Sequence, residues 1–163
     1  MARRKLNYRE GDWVAVPVWD GGWVAGLVAR VNGRGIALGY FFGPRRVEVP
    51  VLDDLVGLKP EDAVLVGMFG DLGLMEDEWR VVGPQPGFRR VDWPMPVFVS
   101  HDEIRDLYSK RWYDEDTLEW GPEEWMPRGV VLEGWDDALM GSEFVERRLN
   151  RLLPCDGGSG VVG

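Results

Sequence analysis

Histidine and cysteine each occur once in this 163-residue chain, as His101 and Cys155. A single cysteine cannot form an intrachain disulfide, which fits a reducing compartment. One cysteine and one histidine cannot furnish the ligand set of a structural zinc site. No apolar run approaches the ~20 residues that a helix needs to cross a bilayer. The basic start, Met1-Ala2-Arg3-Arg4-Lys5, has no apolar stretch behind it, so no secretory signal is expected. Internal repeats are absent. These absences predict a cytoplasmic protein with no cofactor and no membrane contact. A chain of this length can bury about 70% of its unfolded surface, enough for a core without covalent staples.

Catalytic patterns are equally scarce. His101 lies in Ser100-His101-Asp102-Glu103. Neighbours along a strand point to opposite faces, so Ser100 and His101 are not a nucleophile and its base by adjacency. Cys155 follows Pro154 with no basic neighbour in sequence to activate it. The terminal Gly158-Ser159-Gly160-Val161-Val162-Gly163 spells GxGxxG but lacks the flanking strand and helix that would hold a pyrophosphate. Asp114-Glu115-Asp116 with Glu119 lacks the glycine and terminal glutamate spacing of a calcium loop. It reads as a solvated acidic loop, and the chain as a non-enzyme.

Charge is plentiful but uneven. The net charge is −9, yet residues 1–60 carry nine Lys/Arg against six Asp/Glu, while residues 101–153 carry seven against fourteen. An acidic half disfavours direct nucleic-acid binding, which needs cations to displace phosphate counterions. It suits a basic protein partner, because opposite fields speed association.

The chain is also rich in tryptophan, with nine, and the first three stand around one hairpin. From Gly11 to Phe42, three apolar runs are separated by two glycine turns, Asp20-Gly21-Gly22 and Asn32-Gly33-Arg34-Gly35. Val14, Val16 and Val18 alternate with Trp13, Ala15, Pro17 and Trp19, which is strand periodicity. The turns favour positive φ and so predict hairpins. Gly26 and Gly39 inside the runs suggest bulges or the tight bends of a small barrel. Gly43-Pro44-Arg45-Arg46 is expected to end the third strand.

Further strands are expected at Val47–Val49, Ala63–Phe69, Trp79–Gly83, Val97–Val99, Thr117–Trp120 and Val130–Leu132. Ile104–Trp112 is ambiguous between strand and helix. Residues 84–96 form a proline-rich connector. Asp71 is placed to cap a short helix, and Asp136 to begin a turn through Met140. Ser142 is placed to cap an amphipathic helix with Phe144, Val145, Leu149, Leu152 and Leu153 on one side and arginines toward its end. The fold class is therefore mostly β (α+β): an SH3-like N-terminal β-meander or barrel, extended by further strands and closed by the C-terminal helix. Residues 1–153 read as one globular domain, with 8–100 as its β core and 101–153 as an acidic extension. Residues 154–163 read as a flexible tail.

The run Gly11-Asp12-Trp13-Val14-Ala15-Val16-Pro17-Val18 and the strand Trp23-Val24-Ala25-Gly26-Leu27-Val28 resemble the bacterial immunity protein 26 family. Leu27 stands where arginine is common in that pattern. Ile36–Phe42 looks like the family's third strand, and Trp79-Arg80-Val81-Val82-Gly83 like its later Trp-x-Ile-Ile-Gly element. The likeness covers roughly residues 8–100. It implies a non-catalytic immunity protein of a polymorphic toxin system, which binds and neutralises a cognate toxin, expected here to be a basic nuclease. Aromatic anchors ringed by charge make good binding hot spots. The expected contact surface is therefore Trp112, Tyr113, Asp114, Glu115, Asp116, Trp120, Glu123 and Glu124. The alternative is an SH3/Tudor-like peptide reader built on an aromatic cluster of Trp13, Trp19, Trp23 and Tyr40.

Overall fold

The meander forms as expected: β1 (Asp12–Pro17), β2 (Trp23–Val31) and β3 (Ile36–Arg46) pair antiparallel in sequence order. Both hairpin turns carry glycines at positive φ: Gly21 and Gly22 in the first, Gly33 and Gly35 in the second. A computed structural model describes residues 5–155. Most of the expected flexible tail and all of the terminal GxGxxG lie outside the described residues.

β4 (Leu65–Gly70) adds to β3, α1 (Leu72–Met75) follows, and β5 (Arg80–Pro84) returns to the outer side of β1. A second sheet comprises β6 (Phe98–Asp102), β7 (Leu107–Tyr113) and β8 (Trp120–Trp125), all antiparallel. The two-residue β9 (Leu139–Met140) then pairs parallel with β4, and α2 (Ser142–Leu152) completes the described fold. The sheet orders are β5-β1-β2-β3-β4-β9 and β6-β7-β8. No pairing joins β5 to β9, so the larger sheet is an open one rather than a closed barrel.

Both faces of the six-stranded sheet are covered, which is why its strands read as near-continuous apolar runs. Val14, Val16, Val24, Val28, Phe41 and Phe69 face one core, closed by Trp79 and by Val145 and Leu149 of α2. Trp13, Ala25, Leu27, Leu38, Tyr40 and Phe42 face the other, closed by Trp93, Phe98 and Leu118. The period-2 alternation thus sorts residues between two cores, not between core and water. Gly26 and Gly39 make room for Phe41: a Cβ at either would come within 2.8 Å of its ring. The ladder is regular at Gly26. The bulge lies beside Gly39, where Ala29 of β2 is the extra residue between the pairs Val28–Gly39 and Arg30–Leu38.

Several local expectations need correction. β3 does not stop at Gly43-Pro44 but runs through to Arg46, and Val47–Val49 is exposed loop. Asp71 sits at the N-cap of α1 without capping it, because its carboxylate accepts the Tyr8 hydroxyl at 2.7 Å. Ser142 is the first residue of α2 rather than its cap; its Oγ accepts from Gly73 N and donates to Gly70 O, joining the two helices to β4. Phe144 and Leu152 are exposed, and the buried face is Val145, Glu146 and Leu149. Asp136 begins no helical turn, since residues 139–140 pair with β4 instead. The strand expected at 117–120 begins only at Trp120, and residues 130–132 are not strand. Of the ambiguous Ile104–Trp112, residues 104–106 belong to the turn after β6 and the remainder is strand, as β7.

Candidate functional site on the three-stranded sheet

β8 is the free edge of the smaller sheet, and Trp120, Glu123, Glu124 and Trp125 along it are all exposed. Its Pro122 has no N–H to give a ladder. The strand accommodates it with a bulge: a three-residue step on β8, from Trp120 to Glu123, spans the two-residue step from Tyr113 to Arg111. Gly121 is needed there, because a Cβ would lie 2.8 Å from the Trp112 carbonyl oxygen.

Directly paired residues share a sheet face. Arg111 pairs with both Glu123 and buried Phe98, so Arg111, Tyr113, Glu123 and Trp120 look toward the six-stranded sheet. Trp112 and Glu124 fall on the opposite face. The expected contact residues are therefore divided between two faces that meet along the β8 edge.

Arg111 organises the inner face. Its guanidinium pairs with Glu123 and, through Nε at 3.1 Å, with Asp137, and it stacks 4.4 Å from the Trp120 ring. The Tyr113 hydroxyl donates to Asp137 as well. Burial and then the Asp137 carboxylate push the Tyr113 hydroxyl pKa well up, so it remains a donor. Arg105 covers Trp125 in the same way, at 4.5 Å.

The acidic loop before β8 is pinned rather than loose. Asp114 accepts the backbone N–H groups of Thr117 and Asp116, which holds its pKa below the usual carboxylate range. Glu115 pairs with Arg30 of β2 at 2.7 Å, and Asp116 with Arg90 at 2.7 Å. Asn32 donates to Thr117 O. Between Tyr113 and Trp125 there are six carboxylates and no Lys or Arg. Three are in ion pairs, with Arg30, Arg90 and Arg111, while Glu119 and Glu124 have none among the described residues.

The alternative cluster is not assembled. Trp13 is fully buried and donates to Gln85, and Tyr40 is buried with its hydroxyl donating to Pro94 O. Both rings pack on Trp93. Burial pushes the Tyr40 pKa up to about 12. Trp19 is instead exposed beneath Arg147, at 4.8 Å, and Trp23 is half-buried at the start of β2.

His101 is exposed on β6, stacked on Tyr108 with centroids 4.2 Å apart and 2.9 Å from Asp106. Cys155 does have a basic neighbour, which sequence adjacency missed: Arg45 Nη1 lies 2.8 Å from its sulfur. Among the described residues no group of three or more His, Cys, Asp or Glu could hold a metal ion. No helix among them is long and apolar enough to cross a membrane. Sequence reasoning passed over Arg111, Asp137, Trp125 and Leu139. The alternation of Arg111 with Trp112 was a usable signal, whereas Asp137 and Leu139 arrive only through the late return of the chain to β4.

The immunity protein 26 family model matches residues 9–110, which span the six-stranded sheet up to β5, together with β6 and the start of β7. The chain belongs to that family, whose members are immunity proteins of bacterial polymorphic toxin systems, acting by binding a cognate toxin and not by catalysis. No curated protein and no solved structure gives a match.

Proposed function

We propose that the chain neutralises its toxin by stoichiometric docking along the β8 edge, through Trp112, Tyr113, Asp114, Glu115, Asp116, Trp120, Glu123 and Glu124. The observation that carries this is the set of exposed tryptophans, Trp112, Trp120 and Trp125, on one small sheet whose edge strand is open. Indole rings supply large contact area at small conformational cost, and they dominate binding hot spots. The ion pairs from Arg30 and Arg90 hold the 114–119 loop in place beforehand, which lowers the ordering cost of association. The excess of acid in this half favours a toxin with a basic face, as a nuclease has. An immunity protein meets such a toxin in the cytoplasm of the producing cell.

The meander β1–β3, with its two tight hairpins, supports an SH3-like reading of the start of the larger sheet. Residues 1–153 act as one domain. In support, the two cores lie on the two faces of the same sheet and draw on both ends of the chain, Tyr8 with Leu149 in one and Trp13 with Leu118 in the other.

The test is calorimetric titration of the full chain with the toxin domain encoded beside its gene, inactivated at its active site. A one-to-one complex is expected. Absence of a complex at micromolar concentration sinks the reading. W120A is expected to weaken binding by about 2 kcal/mol or more.

A further inference from the structure

The space between the two sheets opens beside Trp120 as a groove of about 550 Å³. Met68 of β4 and Leu118 lie in it, Leu139 of β9 and Trp120 of β8 flank it, and Glu119 and Asp137 supply its carboxylates. Trp120 and Leu139 are 77% and 60% exposed, too much apolar surface for a contact that is complete within the chain. Arg111 covers part of the indole and is already neutralised by Glu123 and Asp137. Glu119 has no ion-pair partner among the described residues. The groove therefore combines apolar walls with an unmatched negative charge.

We propose that this groove receives a basic side chain, arginine or lysine, projecting from the partner. This rests on the docking reading above and names what the partner inserts. A long cationic side chain has an aliphatic stem that can lie between Trp120 and Leu139, with its charged end reaching Glu119. An arginine can in addition stack on the part of the indole that Arg111 leaves open. A neutral apolar side chain would leave Glu119 unmatched, and an acidic one would be repelled by it. The occupant is consistent with the six carboxylates and absent cations between Tyr113 and Trp125.

Two measurements on the full chain test it. In the first, the indole and backbone resonances of Trp120, assigned by comparison with W120F, are followed while a blocked Gly-Arg-Gly peptide is added. The control is the same peptide with citrulline in place of arginine, which keeps the shape and removes the charge. A saturable shift of Trp120 with a millimolar constant is expected for arginine only, and E119Q should weaken it several-fold. No shift, or equal shifts with both peptides, overturns the proposal. In the second, the inactivated toxin is titrated into E119Q and L139S, both changed at exposed positions and expected to keep the wild-type thermal midpoint. Each should lose about tenfold in affinity. Wild-type affinity in both variants overturns the groove while leaving the docking function intact. Failure of the toxin to bind the wild-type chain overturns the docking function, and the peptide titration then decides the groove alone. A concentration-dependent dimer abolished by L139S would assign the groove to a second copy of this chain and also overturn the proposal.

Discussion

The Arg30 guanidinium, fully buried on β2, meets the Glu115 carboxylate of the acidic loop at 2.7 Å, across 85 residues of sequence. Strict alternation along β2 would send Arg30 to the face that carries Val24 and Val28, under α2. The bulge at Ala29 moves it to the face of its partner Leu38, where Tyr40 and Leu118 also lie. Bulges commonly re-aim a side chain in this way. Arg30 also donates to Ala29 O and Arg90 O, so one buried cation ties β2, the 84–96 connector and the acidic loop together.

The two ends of this pair are unequal. Glu115 is half exposed and can be solvated if Arg30 is replaced, whereas Arg30, almost wholly buried, is left without its countercharge if Glu115 is lost. E115A is therefore expected to destabilise the chain by about 1 to 3 kcal/mol, and more than R30M does. D116N, which touches only the more exposed Arg90, should cost under about 1 kcal/mol. Urea unfolding midpoints rank the three, and an R30M loss larger than that of E115A would contradict the argument.

Glu146 on α2 gives a pH prediction. Its carboxylate is buried, accepts the Trp79 indole N–H at 3.0 Å and is further bonded to Trp19. Burial raises its pKa, with like charge on Glu78 and Glu143 adding to the rise and the two indoles opposing it. The folded chain thus binds this proton more tightly than the unfolded chain. The stability it contributes is present below the ordinary carboxylate range and is lost as pH rises from there through the raised folded value. E146Q keeps an acceptor for Trp79 and removes the charge. It is expected to raise the thermal midpoint at pH 7, with the gain vanishing in acid.

Phe41 gives a packing prediction. Its ring occupies the space left by Gly26 and Gly39, so G26A should cost about 1 to 3 kcal/mol by overpacking. F41L should recover part of that loss when combined with G26A, since the two changes share one volume. Additive losses in a double-mutant cycle would place the strain elsewhere.

Association with the toxin should be salt-sensitive. With six carboxylates and no cation between Tyr113 and Trp125, the on-rate is expected to fall about tenfold or more between roughly 0.05 and 0.5 M salt. Stopped-flow tryptophan fluorescence measures it, and a flat profile would argue against a basic face on the toxin.

Much of this protein is legible along the chain. Glycine turns at 20–22 and 32–35 and the period-2 runs between them determine the meander, because positive φ and alternation are local properties. The family follows from the same residues. The matched segment ends at 110, so the sequence alone carries the scaffold further than it carries the site. Tertiary structure decided the rest. Whether Val14 or Trp13 faced water could not be read from alternation, since a second core covers the opposite face of the sheet. The bulge at Ala29 is one extra residue without a marked side chain, yet it decides where Arg30 points. Pro122 reads as a breaker until the ladder bulges around it. The Trp120–Leu139 groove needs the chain to return to β4 after the three-stranded sheet is complete. Strand register and the approach of distant segments are set by packing over the whole molecule, and that is the information local periodicity does not contain.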